Sequence, residues 1–397
     1  MSQLLNERWS ETKEALLEGL SGTRKSSMAV CLENTRRYLA ESATAGATSS
    51  GNIATLNRVI LPVIRRVMPT VIANEIIGVQ PMTGPVAQIH TLRVRYADSS
   101  TGDSVVAGDE ALSPFKIAAA YSGNNVDGNP KANTTAALEG RPGNRMSIQI
   151  LKAPVEAKSR KLSARWTFEA AQDAQAQQGI DIEAEIMAAL AQEITAEIDQ
   201  EILASLRSLA TVEETYDQSL VSGTATFVGD EHAALAIQIN RVSNLIAQRT
   251  RRGSGNWAVV SNQALTILQS ATTSAFARTT EGTFEAPTNT KFVGTLNGAM
   301  RIYVDAYLPD SGSQTIQDNQ VLIGYKGSSE ADAAAFYCPY IPLMSSGVVL
   351  DPATFEPVVG FLTRYGYVEL SNTASSLGNA ADYLGKVSIN SAKTSYK

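Results

Sequence analysis

An apolar residue at every fourth position from Ile182 to Leu206 constrains this chain more than any other feature. The row is Ile182, Ile186, Leu190, Ile194, Ile198, Ile202 and Leu206, and Met187, Ala191 and Leu203 widen it. That spacing predicts an amphipathic α-helix over residues 181–209, about eight turns and ~45 Å long. Asp181 suits the N-cap or first turn, acids crowd the early turns (Asp181, Glu183, Glu185), and Arg207 lies in the last turn. Both choices agree with the helix dipole. A four-residue spacing drifts around a helix of ~3.6 residues per turn, so the apolar row winds about the axis. Such a helix must be covered on more than one side. It reads as a spine that other layers, or other subunits, lie across, although a core helix of an ordinary globular protein has the same periodicity.

At 397 residues and 44 % hydrophobic content the chain has ample material for a packed core. A net charge of −6 argues against a basic nucleic-acid binder overall. No apolar run is long enough to predict a membrane span. Acids interrupt the N-terminal stretch where a secretory signal would carry an apolar core. Cys31 and Cys338, far apart in sequence, read most simply as reduced thiols.

Taken in order, residues 1–41 suggest two short helices, the second carrying Met28, Cys31, Leu32, Tyr38 and Leu39. Residues 42–52, small and polar, read as a linker. Arg58, Arg65 and Arg66 then sit among Val and Ile, and Pro62 and Pro69 break any long helix there. Alternation over residues 89–96 predicts a strand, and alternation returns over 148–168, ending in Trp166 and Phe168. About fifty polar residues lie between, the pattern of a long hairpin with an elaborated tip. After the spine, strands are expected at 224–228, 256–261, 294–296, 300–304, 321–325, 336–341 and 366–370. Helices are expected at 231–252 and 262–270, the latter capped by Asn262. The tail from Ser371 reads as polar and extended along the surface. The class is α+β, without βαβ repeats.

Catalytic and cofactor motifs are missing: there is no phosphate-loop, dinucleotide, zincin or nucleophile-elbow signature. His90 and His232 are the only histidines, and they read as a packing residue and a solvated first-turn residue. Neither has a partner at ligand spacing, so no metal site, cofactor or catalytic residue is assigned. Residues 324–327 (Gly-Tyr-Lys-Gly) read as a turn. Arg249, Arg251 and Arg252 could meet phosphates, but pairing with protein acids is the stronger reading.

Residues 67–85, VMPTVIANEIIGVQPMTGP, closely resemble the major capsid proteins of T-even-like tailed bacteriophages. Three further stretches agree in order and spacing: VEAKSRKLSARWTFEAAQDAQAQQGIDIEAE from Val155, VLIGYKGSSEADAAAFYCPYIPL from Val321, and FEPVVGFLTRYGY from Phe355. The resemblance implies the Hong Kong 97-type capsid fold. On it, residues 1–41 are an N-terminal segment and candidate cleaved propeptide, 42–90 an N-arm, and 91–165 the E-loop region with a short insertion. Residues 166–220 are a peripheral domain with the spine helix, 221–340 an axial domain, and 341–397 a return to the peripheral domain plus a C-terminal tail. The relatives carry a larger insertion domain, which only the short 97–147 segment could replace here. Their head protease cuts after a glutamate in an apolar-x-Glu context, which Leu39, Ala40 and Glu41 before Ser42 match.

The resemblance implies a non-enzymatic major capsid protein that self-assembles into hexameric capsomers. These tile an icosahedral shell enclosing packaged double-stranded DNA, in a virion built in the host bacterial cytoplasm. A vertex protein, portal, scaffold and head protease are the implied partners, and a membrane is not. Rival readings are the pentameric vertex protein of the same phages, a nucleic-acid-binding module and a bacterial cargo shell. Arg58, Arg65 and Arg66 of the arm are the expected inter-subunit partners of Glu193, Glu197 and Glu201 on the spine.

Overall fold

The computed structural model describes residues 9, 13–14, 17, 22, 25–34, 72–99, 105–109, 111, 120–126, 129–140, 143–178, 181–218, 228–271, 276–278, 291–305, 307, 320–329, 332–354, 356–371 and 379–391. In chain order, helix α1 (residues 25–34) comes first. After α2 (Ala73–Ile76) and the two-residue β1 (Gly78–Val79), β2 (Val86–Tyr96) leads into a short ladder of β3 (Asn124–Val126) and β4 (Asn129–Lys131). Then come α3 (Thr135–Leu138), β5 (Met146–Glu156), β6 (Lys158–Arg165), α4 (Phe168–Gln178) and α5 (Ile182–Leu209). The second half holds β7 (Val212–Asp217), α6 (Val228–Thr250), β8 (Trp257–Ser261), α7 (Asn262–Ser270) and β9 (Phe276–Arg278). It ends with β10 (Lys291–Leu296), β11 (Met300–Asp305), β12 (Gln320–Gly324), β13 (Ala335–Ser345), β14 (Val349–Leu350), β15 (Pro357–Glu369) and β16 (Leu384–Ser391). The expected α+β class is what the chain adopts.

The chain forms two compact units. The first holds Met1–Ala87, Pro154–Ala204 and Phe336–Val368; the second holds Gln88–Ala153, Ser205–Ala335 and Glu369–Lys397. In the first, β13 and β15 form the middle of a five-stranded sheet, with β1 parallel to β13 and β6 antiparallel to β15 along Val358–Tyr365. The predicted spine is α5, 28 residues long. Its cap is Asp181, whose Oδ1 accepts from the Glu183 and Ala184 backbone N–H groups at 3.1 and 3.5 Å. Leu190, Ile194, Ile198 and Ile202 are buried on it, with Met187, Ala191 and Leu203 beside them.

The second unit is built on a seven-stranded sheet in the order β7-β16-β12-β8-β11-β10-β9. Leu235, Ile239, Val242 and Ile246 of α6, at helical spacing, pack on Val321, Ile323 and Val387 of that sheet. Arg207 closes a buried ion pair with the fully buried Asp305 at 2.6 Å. The Lys386 ammonium donates to the Arg207 carbonyl at the end of α5, where the helix dipole favours a cation.

Several expectations change. Residues 384–391 are not a surface tail: β16 pairs with β12 on one side and β7 on the other, and Leu384, Val387 and Ile389 are fully buried on it. The strand expected to run to Phe168 stops at Arg165, and Phe168 opens α4. Ser261, not Asn262, caps α7, its hydroxyl accepting from the Ala264 N–H. His232 is buried with its Nδ1 2.5 Å from the Ser270 hydroxyl, and His90 is exposed on β2. Of the strand expected at 224–228, residues 224–227 lie outside the described residues and Val228 begins α6. Residues 324–327 are extended and do not form the expected turn: Gly324 ends β12, where a side chain would meet the Trp257 ring at 2.1 Å, and Lys326 forms an antiparallel bridge with Ala333.

Candidate assembly site

Among the described residues, strands β2 and β5 form a two-stranded sheet, the hairpin expected from the two flanking runs. Successive strand residues face opposite sides, so Met146, Ile148 and Ile150 share one face of β5. They are 55, 68 and 60 % exposed, and Ser147 and Gln149 on the opposite face are exposed as well. A two-stranded ribbon is marginal by itself, and a contiguous exposed apolar row marks an interaction surface. The base of this row is nevertheless fixed. Tyr96 and Tyr121 pack with ring centroids 4.5 Å apart over buried Val105 and Ala111. The Tyr121 hydroxyl donates to the Arg145 carbonyl at 2.6 Å, and the Arg145 guanidinium reaches Asp98 at 3.0 Å. The Arg145 hydrogen bonds hold the Asp98 carboxyl below its ordinary range. The polar stretch between the strands therefore includes a small folded tip.

A second arrangement stiffens the first unit. Glu197 and Glu201 lie four residues apart, on one face of α5. Arg160 of β6 donates from Nη1 to Glu197 at 2.6 Å, from Nη2 to Glu201, and from Nε to the Tyr365 hydroxyl at 2.6 Å. Tyr365 of β15 donates in turn to Glu201. Burial alone would lower the Arg160 pKa, but the hydrogen bonds to Glu201 and Tyr365 prevail and raise it. Burial would likewise raise Glu201, yet the bonds from Tyr365 and Arg160 leave its carboxyl below the usual value. Burial and the bond to Glu201 push the Tyr365 phenol upward. One guanidinium thus ties two sheet strands to the spine helix by charge-assisted bonds.

Two of the three acids proposed from sequence as inter-subunit contacts, Glu197 and Glu201, are therefore engaged within their own chain. Glu193 is exposed and has no ion pair among the described residues. Arg58, Arg65 and Arg66, and the candidate processing residues Leu39, Ala40, Glu41 and Ser42, lie outside the described residues. Sequence reasoning missed Arg160 and Tyr365. The signal was the acid pair at i and i+4 on a half-covered helix, which calls for a facing cation.

Two of the three arginines at the end of α6 meet protein acids, Arg249 pairing with Glu213 at 2.5 Å and Arg252 with Asp332 at 2.6 Å, as does Arg241 with Glu214 at 3.1 Å, while Arg251 is exposed with no ion pair among the described residues. Cations held this way are poorly placed to grip phosphates, which disfavours the nucleic-acid-binding reading. No group of three or more His, Cys, Asp and Glu side chains among the described residues could hold a metal ion. No helix among them is long and apolar enough to cross a membrane.

Comparison with known proteins places these features in a lineage. The family described as Major capsid protein Gp23 matches residues 53–389. The chain is similar to the major capsid protein of Vibrio phage KVP40, 29 % identical over 84 % of this chain and 80 % of that protein. Its similarity to the major capsid protein of Salmonella phage ViI is 30 % identity over 83 % of this chain and 80 % of that protein. With the major capsid protein of Enterobacteria phage T4 it shares 28 % identity over 83 % of this chain and 78 % of that protein. Among solved structures, it is similar to the capsid of Myoviridae phage XM1 at a TM-score of 0.41, with 10 % identity over 78 % of this chain and 88 % of that one. The mature capsid of bacteriophage PhiM1 gives a TM-score of 0.44, with 13 % identity over 78 % of this chain and 83 % of that one. The chain belongs to the family of the major capsid protein Gp23, the structural, non-enzymatic proteins that form the heads of T4-like phages.

Proposed function

We propose that the chain assembles as hexameric capsomers of the Hong Kong 97 type, tiling an icosahedral shell in the host bacterial cytoplasm around packaged double-stranded DNA. The observation that carries this is the apolar row Met146, Ile148 and Ile150 of the hairpin, which the described residues leave exposed. In a closed shell a neighbouring copy supplies the missing partner, and each modest contact is multiplied over the surface. Residues 91–165 then serve as the E-loop region, 42–90 as the N-arm, 166–220 as the peripheral domain with the spine, and 221–340 as the axial domain. The net charge of −6 suits a container that confines DNA by enclosure and not by a basic groove. A vertex protein, portal, scaffold and head protease complete the particle, the protease cutting after Glu41.

Arm residues Arg58, Arg65 and Arg66 meet a neighbour's spine chiefly at Glu193, since Glu197 and Glu201 already hold Arg160. The test is charge reversal followed by electron microscopy of purified particles. Arg65→Glu with Arg66→Glu should cut shell yield while leaving the subunit folded, and adding Glu193→Lys should restore part of it. Normal shells from the double variant would refute the pairing.

A further inference from the structure

The N-terminal segment, read from sequence as a candidate propeptide, makes an unexpected contact. Helix α1 sets Ser27, Met28, Cys31, Leu32 and Asn34 into the first unit, each 5 % exposed or less. Those positions recur at three- and four-residue spacing, the signature of one buried helix face. The edge they meet is formed by residues 78–82 running beside β13. Gly78 and Val79 pair with Phe336 and Tyr337, and the ladder continues through the Gln80 N–H to the Tyr337 carbonyl and the Met82 N–H to the Pro339 carbonyl, both 3.0 Å. Asn34 closes this edge. Its Nδ2 donates to the Met82 carbonyl at 2.6 Å and to the Tyr340 carbonyl at 3.1 Å, so its two amide hydrogens join both strands. The Cys31 thiol lies 3.9 Å from the Pro339 carbonyl. From the outer side Trp9 Nε1 donates to Glu33 at 3.2 Å, and Lys13 pairs with Glu33 at 3.5 Å.

We infer that α1 is a wedge built into the subunit, and that it stays seated on the β1–β13 edge after the chain is cut between residues 41 and 53. Its contacts are those of a core element, not of a leader laid on the surface. Removing it would leave the Met82 and Tyr340 carbonyls without the Asn34 amide. The wedge also lies outside the family match, which begins at residue 53. On this account cleavage after Glu41 severs a connection and discards nothing.

The experiment needs neither a shell nor the phage protease, so its outcome is separable from the capsid reading and from cleavage at Glu41. A specific protease site is inserted within residues 42–52 of the full chain, the purified protein is nicked, and the product is run on native mass spectrometry. In parallel, maleimide labelling of Cys31 is timed. The wedge account expects the two fragments to travel as one mass and Cys31 to label at least ~100-fold more slowly than in the denatured nicked protein. Asn34→Ala with Met28→Asp should release the fragment or speed labelling at least ~10-fold. Should that variant fail to fold, hydrogen exchange on the uncut wild type decides the matter. Amides of residues 28–34 protected like those of β13 support the wedge, and amides exchanging like a free peptide overturn it. A nicked wild type that sheds the fragment, or labels Cys31 at the rate of the denatured protein, overturns it as well.

Discussion

The spine helix and the outer strand of the hairpin carry the same kind of signal, apolar residues at a regular spacing, and meet opposite fates. Along α5, Ile194, Ile198, Ile202 and Leu203 are each 1 % exposed or less. Along β5, Met146, Ile148 and Ile150 are all more than half exposed. The difference lies in what the chain supplies opposite each row. The spine has sheet strands tied to it through Arg160, whereas the described residues leave the hairpin's apolar row exposed. Periodicity tells which residues want covering, but not whether the cover is in the same molecule.

Four variants probe that contrast. The largest effect is expected at the spine, where Leu203→Ala removes a fully buried side chain and should cost about 2–5 kcal/mol, read from urea unfolding. A loss below ~1 kcal/mol would mean that the spine is not a core element. The clamp comes next. Arg160→Ala should cost about 1 kcal/mol, kept small because its carboxylate partners are 42–44 % exposed and water screens them.

The Glu201 share of that energy depends on pH. Its carboxyl is lowered from 4.5, so its contribution is complete above the unfolded-state value and disappears as pH falls through the lower native one. The stability gap between wild type and Glu201→Gln should hold from pH 7 to about pH 5 and close below that. A gap that closes between pH 7 and 5 would contradict the assignment. The smallest effect on folding is expected at the hairpin, where Ile148→Asp with Ile150→Asp should change unfolding stability by no more than about 1 kcal/mol.

The spine and the hairpin were legible because their rules are local. The spine, its Asp181 cap and the basic last-turn Arg207 follow from spacing and dipole alone. The hairpin was legible from two alternating runs around a polar stretch. The small tip core was not, since Tyr96 and Tyr121 meet only through the fold. The β16 strand was missed for a related reason. LGKVSINS has only Leu384, Val387 and Ile389 to show, and its place between β12 and β7 rests on pairing partners far away in sequence. The Arg160 clamp joins residues 37, 41 and 205 positions apart, a distance no motif spans. The wedge was half visible: the apolar positions of α1 were noticed, but not that they complete a sheet edge.

The central claim is that the hairpin's apolar row is completed by another copy of the chain. Sedimentation velocity of the Ile148→Asp, Ile150→Asp variant under conditions where wild type forms shells tests it most directly. The account predicts a folded variant, with an unfolding curve close to wild type, that stays as free subunits or small oligomers. A variant that sediments as complete shells would contradict it.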